Sequence, residues 1–267
     1  MFGTDGFFKG TALGNDYLVL AVNSLSFPFT AATARALCAR GSGIGADGIV
    51  ALEPGGEDAT VWNADGSTAE VSGNGLRIAA VALGLGGERA ELVLRSAGRS
   101  YAIRKGRGAN LRIELEPAVI RDPERLVALG GRAIPISVID VGNPHAVLRA
   151  EACTEAEWPA VAAGIAVHPS FPAGANVERL RLAAPGTIDI LIHERGVGAT
   201  TASGTGACAA AAAAVALGLF APGTLEVRMP GGTVSVLVEP GRLALEGPVE
   251  ALCRGRIDPR FAARLSG

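Results

Sequence analysis

The sequence predicts an α/β fold of the α+β kind, built as two pseudo-symmetric domains, each a mixed sheet or barrel wrapped around a central helix. Three observations carry that prediction. One element occurs twice: Ser72-Gly73-Asn74-Gly75 runs into an alanine-rich stretch ending Val81-Ala82-Leu83-Gly84-Leu85, and Ser203-Gly204-Thr205-Gly206 runs into another ending Val215-Ala216-Leu217-Gly218-Leu219. The copies lie about half the chain length apart, as equivalent points of two homologous halves would. A similar set of short strands follows each copy, and two units are too few for a solenoid, which needs at least three to bury a continuous core.

Each element has a local cause. Leu13 to Leu20 has a partner in Val141 to Leu148. Behind the first helix come Leu92 to Arg95, Ser100 to Arg104 and Leu111 to Leu115; behind the second come Leu225 to Arg228, Thr233 to Val238 and Leu243 to Glu246. Their alternation and glycine-rich turns mark antiparallel strands. Each helix opens on a small polar residue and a glycine turn, and a helix start carries unpaired N–H groups and partial positive charge, a ready site for a carboxylate or phosphate. Ala207 to Ala216 consists mostly of the best helix former, whose small side chains let strands approach from all sides. The first half is expected over 1–118 and the second over 119–253, with 254–267 as a tail that packs back on the first half.

Bulk properties narrow the function. The 267 residues are 49% hydrophobic, enough for a sizeable core, and a net charge of −2 offers no electrostatic case for nucleic acid or an acidic membrane surface. A small-molecule partner is expected, and a homodimer is a candidate assembly. No segment reads as a signal peptide or an uninterrupted membrane span. Cys38, Cys153, Cys208 and Cys253 show neither CxxC spacing nor the density of a secreted scaffold, so they are read as reduced and the protein as cytoplasmic. His145, His168 and His193 lack metal-ligand spacing, so no metal is expected. The glycine turns lack the third glycine and later acid of a dinucleotide fingerprint, and neither serine sits in a G-x-S-x-G elbow.

The chemistry-bearing residues cluster in glycine-rich turns: Asn15, Asn63, Asn143, Asn176 and Arg195. Singly, an Asn beside Gly or Asp is usually a turn residue that bonds local backbone. Jointly, the segments Leu13 to Tyr17, Gly43 to Gly48, Asn63 to Gly66, Ser72 to Arg77, Gly142 to His145, Asn176-Val177, Glu194 to Gly198 and Ser203 to Ala209 resemble diaminopimelate epimerase, in order and with that family's spacing, over nearly the whole chain.

The resemblance implies two α/β domains around central helices, an active site in the cleft between them and no cofactor. It implies that Asn63, Asn143, Asn176 and Arg195, with Asn15 nearby, hold the distal amino-acid end of the substrate. The turns Gly73-Asn74 and Gly204-Thr205 would offer backbone N–H groups to the carboxylate at the reacting carbon, Glu194 would contact the ammonium near the second catalytic position, and His145 would lie near the first. In the family those two positions are cysteines acting as base and acid on opposite faces of the α-carbon. Here they are Ser72 and Ser203. A thiolate is accessible near neutrality, whereas a serine hydroxyl works as a base only when a neighbour takes its proton.

The serines are open to two readings, replacement by design or natural divergence. Ala199, Ile78 and Ala39, which also depart from the family's pattern, favour divergence. The expected function is a cofactor-independent amino-acid epimerase or racemase of the lysine and peptidoglycan precursor pathway, impaired or divergent at its thiols. The alternatives are a phenazine-biosynthesis-like isomerase, a hydroxyproline epimerase or dehydratase, and a noncatalytic amino-acid binder.

Overall fold

A computed structural model describes residues 2–85, 87 and 89–266, and the terminal residues of the expected segments, 1 and 267, lie outside that set. The chain divides into two units, 1–113 with 248–267, and 114–247.

The first unit contains β1 (Gly6–Ala12), β2 (Asn15–Ala21), α1 (Ala31–Cys38), β3 (Gly48–Leu52), β4 (Ala59–Asn63), α2 (Gly73–Ala82) and a meander of β5 (Glu91–Ser96), β6 (Arg99–Lys105) and β7 (Leu111–Leu115). The second contains β8 (Val119–Leu129), β9 (Arg132–Asp140), β10 (Pro144–Arg149), α3 (Trp158–Ala166), β11 (Asn176–Ala184), β12 (Thr187–Glu194), β13 (Gly198–Thr200), α4 (Gly204–Ala216), β14 (Gly223–Met229), β15 (Gly232–Glu239) and β16 (Arg242–Gly247). The chain then returns to the first unit with β17 (Glu250–Arg256) and α5 (Pro259–Leu265).

The pairing pattern is the same in both units. In the first, strands run in the order β17-β1-β2-β3-β4; in the second, β8-β9-β10-β11-β12. Each has one parallel pair at its centre, β2 with β3 and β10 with β11, flanked by antiparallel pairs. A mixed α/β architecture with two pseudo-symmetric halves is therefore what the chain adopts.

The boundary differs from the sequence expectation at both ends of the second unit, which starts at 114 instead of 119 and ends at 247 instead of 253. Residues 250–253, expected in the second half, lie in β17, which pairs antiparallel with β1. Every residue of β17 is exposed, so it has no buried alternation to read. Each unit's outer strand thus comes directly after the other unit's last strand, an exchange that a search for in-line repeats does not see. Beyond β17, Ile257 and Ala262 enter the core around Leu18, Leu37 and Ile49.

The central helices explain the alanine bias. α2 packs against β1, β2, β3, β5 and β17. α4 packs against eight strands, β8 to β12 and β14 to β16, and its residues 206–214 are all buried. A helix apolar on every face has to be surrounded, and alanine keeps the surrounding backbones close. Both helices end alike. Leu85 N–H bonds Ala80 O and Leu219 N–H bonds Ala214 O around Gly84 and Gly218, whose φ values of 92° and 68° suit the left-handed turn that stops a helix.

Candidate active site

Ser72 is the N-cap of α2, and its Oγ accepts from Gly75 N at 3.0 Å. The same hydroxyl donates to the Tyr17 phenol oxygen at 3.1 Å. Gly73 and Asn74 are buried, and among the described residues their N–H groups have no protein acceptor. The Asn74 side chain bridges two neighbours: its Nδ2 donates to Asn15 Oδ1 at 3.0 Å and its Oδ1 accepts from the buried Arg77 guanidinium at 2.8 Å. Asn15 in turn donates to Asp47 at 3.1 Å. Asp16, beside it, is held by Lys9 at 2.9 Å and Arg40 at 2.7 Å. Burial works to raise the Asp16 carboxyl, but the Arg40 and Lys9 contacts outweigh it and hold the group below its ordinary value.

The second helix start repeats the first. Ser203 caps α4, its Oγ accepting from Gly206 N at 3.2 Å, and the N–H groups of Gly204 and Thr205 have no protein acceptor among the described residues. The neighbours differ. Glu178 on β11 is wholly buried, and its Oε1 lies 2.8 Å from His145 Nδ1. His145 Nε2 lies 2.9 Å from Asn143 Oδ1. Burial pushes the Glu178 carboxyl above its ordinary range, opposed by His145. A Cβ on Gly206 would sit 2.8 Å from Glu178 Oε1 and 3.3 Å from Ser203 Oγ, so carboxyl and hydroxyl border the same space.

The structure gives the asparagines mixed duties. Asn176 is committed to backbone, its Oδ1 accepting from Arg195 N at 3.0 Å and its Nδ2 donating to Pro144 O at 3.4 Å. It therefore ties β10 to the turn after β12. Asn63 donates to Ser67 Oγ at 2.9 Å within its own turn. Arg195 donates to Ala173 O at 3.2 Å and lies over Gly174, where an added Cβ would meet its side chain at 3.0 Å. The left-handed φ of 74° at Gly174 gives a second reason for glycine there. Glu194 ends β12 and is half-buried.

None of the cysteines caps α2 or α4. Cys38, Cys153 and Cys208 are buried and Cys253 is exposed on β17. Burial, reinforced by Asp16 and Asp47, pushes the Cys38 thiol up to about 12. Among the described residues no cluster of His, Cys, Asp and Glu could hold a metal ion, and no helix is long and apolar enough to cross a membrane.

Sequence reasoning missed Glu178, Tyr17 and Arg77 as parts of the two helix starts. The repeat held the signal. Tyr17 and His145 occupy matching positions after Gly14-Asn15 and Gly142-Asn143, and each faces the next strand in parallel register, Tyr17 with Gly48 and His145 with Asn176. Two residues further along those strands stand Val50 and Glu178, and an acid in place of an apolar core residue marks the departure.

Comparison with known proteins agrees with this geometry. The family model described as diaminopimelate epimerase matches residues 7–118 and 137–249. The chain is 35% identical to the diaminopimelate epimerase of Rhodococcus jostii strain RHA1, covering 94% of this chain and 96% of that protein. It is 37% identical to the one from Mycobacterium sp. strain KMS, with the same shares covered. Among solved structures, a hydroxyproline epimerase from Agrobacterium vitis superposes with a TM-score of 0.70 at 15% identity, covering 96% of this chain and 94% of that one. A phenazine biosynthesis protein of the PhzF family from Bacillus anthracis gives 0.69 at 14%, covering 95% and 98%. At such identities these two structures share the fold.

Proposed function

The chain belongs to the diaminopimelate epimerase family of isomerases, and we propose that it inverts an α-carbon of diaminopimelate without a cofactor, in the cytoplasm, as a step toward lysine and peptidoglycan precursors. One observation carries the reading. At both residues where the family resemblance puts the reacting thiols, a serine caps a helix whose next two N–H groups lack a protein acceptor among the described residues. Gly73-Asn74 and Gly204-Thr205 are the donors for the substrate's α-carboxylate, and they stabilise the negative charge that develops when the α-proton leaves. Asn15, Asn63, Asn143 and Arg195 serve the distal end, Arg195 as the charge-assisted partner of its carboxylate, and Asn176 holds the turn that carries Arg195. Glu194 takes the substrate ammonium.

Ser72 and Ser203 take the proton-transfer positions, with Glu194 assigned to their support, while His145 has both ring nitrogens engaged, by Glu178 and Asn143. A hydroxyl is a much weaker acid than a thiol, so both removal and return of the α-proton are slow compared with a two-cysteine enzyme. The Ser72 proton is already directed to the Tyr17 oxygen, which makes that hydroxyl a donor rather than a free base.

The test is deuterium incorporation from heavy water at the α-carbon of LL- and meso-diaminopimelate, compared with proline and hydroxyproline and followed by NMR. Exchange on diaminopimelate with interconversion of its isomers supports the reading. Exchange confined to the cyclic substrates would replace it with another isomerase on this fold. Binding by calorimetry with no exchange on any substrate would reduce the chain to an amino-acid binder.

A further inference from the structure

Glu178 is a buried acid to which the assigned reaction gives no part. One carboxyl oxygen faces His145 Nδ1 at 2.8 Å; the other, Oε2, is buried and has no hydrogen-bond partner among the described residues. An ionised carboxylate with an unsatisfied oxygen in a dry site is costly, whereas the neutral acid leaves only one carbonyl oxygen unpaired. The neutral acid has one O–H, and among the described residues the hydrogen-bond partner beside it is His145 Nδ1. With Nδ1 accepting, the proton of a neutral imidazole is on Nε2, which faces Asn143 Oδ1 at 2.9 Å.

We propose that Glu178 is a positioning residue that acts through His145 to lock the side-chain amide of Asn143, leaving both Asn143 Nδ2 protons available to a substrate carboxylate. Turning the amide over would set its NH2 group against the Nε2–H, donor against donor, so the chain of hydrogen bonds admits one orientation. Among the described residues Nδ2 has no acceptor and Asn143 is half-buried, as a donor kept for a ligand requires. Gly206 is part of the device: the 2.8 Å approach of its absent Cβ to Glu178 Oε1 shows that the first turn of α4 closes over the carboxyl and admits no side chain there. The matching position in the first unit is Val50, and Tyr17 replaces His145, so only the second helix start has this relay. The inference rests on Asn143 being a substrate contact, but its tautomer readout does not.

The experiment is long-range proton–nitrogen NMR of the full chain labelled at histidine, at about pH 7.5, where neutral tautomers are distinguished by their nitrogen shifts. The spectrum contains three histidines, and a His145→Gln variant identifies the relevant one. The expected result is a neutral ring protonated at Nε2. E178Q, whose amide can still donate to Nδ1, keeps that tautomer; E178L, which cannot, mixes the two. In calorimetry E178L weakens diaminopimelate binding about tenfold, as expected for one misoriented hydrogen bond to a charged group, and E178Q restores most of it. A proton found on Nδ1 in the unmodified chain would overturn the proposal without any variant having to fold, and so would an unchanged tautomer in folded E178L. If the tautomers behave as expected while diaminopimelate does not bind, the relay stands and the substrate reading fails.

Discussion

At the start of α2 the space that a Cβ on Gly75 would fill is bordered by Ser72, Tyr17 and Val50, each 3.1–3.2 Å away. At the start of α4 the matching space beside Gly206 is bordered by Ser203 and by Glu178, the latter at 2.8 Å and paired to His145. Caps, helix ends and strand order repeat, but the polar groups behind the two serines do not. One hydroxyl leans on a phenol, and the other shares its neighbourhood with a buried acid and an imidazole. The two halves share the capped helix starts, while the groups behind the two serines differ. The two serines are therefore not interchangeable, although the sequence motif treats them alike.

The largest expected effect removes the feature that the two starts share. Replacing both hydroxyls by thiols, Ser72→Cys with Ser203→Cys, is expected to raise α-proton exchange on diaminopimelate by about 10²-fold or more, because a thiol at a helix start supplies both a base and an acid that serine cannot. Each single change is expected to do much less for inversion, which needs a base on one face and an acid on the other. Stopped-time NMR in heavy water measures both quantities. If the double variant is no faster than the parent, the hydroxyls have a role of their own and the thiol comparison is the wrong one.

Next in size is Arg195→Ala, with an expected loss of diaminopimelate affinity of about 10- to 100-fold, the range for a charge-assisted bond to a carboxylate. Calorimetry reads it directly. Unchanged affinity would return Arg195 to the local duty its contact with Ala173 describes and leave Asn143 to carry the second unit's part of the distal end.

How much of this was legible depends on where each partner lies. The helix starts could be read because cap, glycine turn and alanine run are contiguous, and the meanders because their residues alternate. β17 could not, since an exposed outer strand needs no apolar pattern. Asn63 shows what a single turn asparagine leaves open in sequence: its Nδ2 bond to Ser67 is the local turn bond that any such asparagine could make. Asn15 and Asn74 meet across 59 residues, and Glu178 meets His145 across 33, distances over which sequence spacing says nothing of a contact. The repeat alone could have paired Val50 with Glu178, and only by treating the mismatch as information.

A packing experiment sharpens the contrast between the two glycines. Alanine favours a helix interior over glycine by about 0.5–1 kcal/mol, so crowding has to exceed that gain before either substitution destabilises. At Gly75 the neighbours need give only a few tenths of an ångström, and Gly75→Ala is expected to change stability by less than about 1 kcal/mol. At Gly206 the new methyl displaces a carboxyl fastened to His145, and Gly206→Ala is expected to lose about 1–3 kcal/mol. Thermal melting of the two variants side by side tests the difference. Equal losses would mean that Glu178 can move aside, and the lock on Asn143 would be looser than its geometry suggests.

The smallest effect is a pH slope of opposite sign in the two units. Asp16 is held below its ordinary value of 3.8, so its interactions stabilise the first unit above that pH and are lost as pH falls below it toward the folded-state value. Glu178 is raised above 4.5, so the folded second unit keeps a proton that the unfolded chain has released; its stability is full below 4.5 and declines as pH rises from there toward the folded-state value. Each unit has one tryptophan to report on it, Trp62 on β4 and Trp158 on α3. In a Trp158→Phe background, Asp16→Asn is expected to flatten the acid limb of urea unfolding followed by Trp62 fluorescence. In a Trp62→Phe background, Glu178→Gln is expected to remove the decline above 4.5 followed by Trp158. Should Glu178→Gln instead steepen that decline, the carboxylate is charged in the folded chain, His145 is its cationic partner, and the two units differ by an ion pair rather than by a neutral relay.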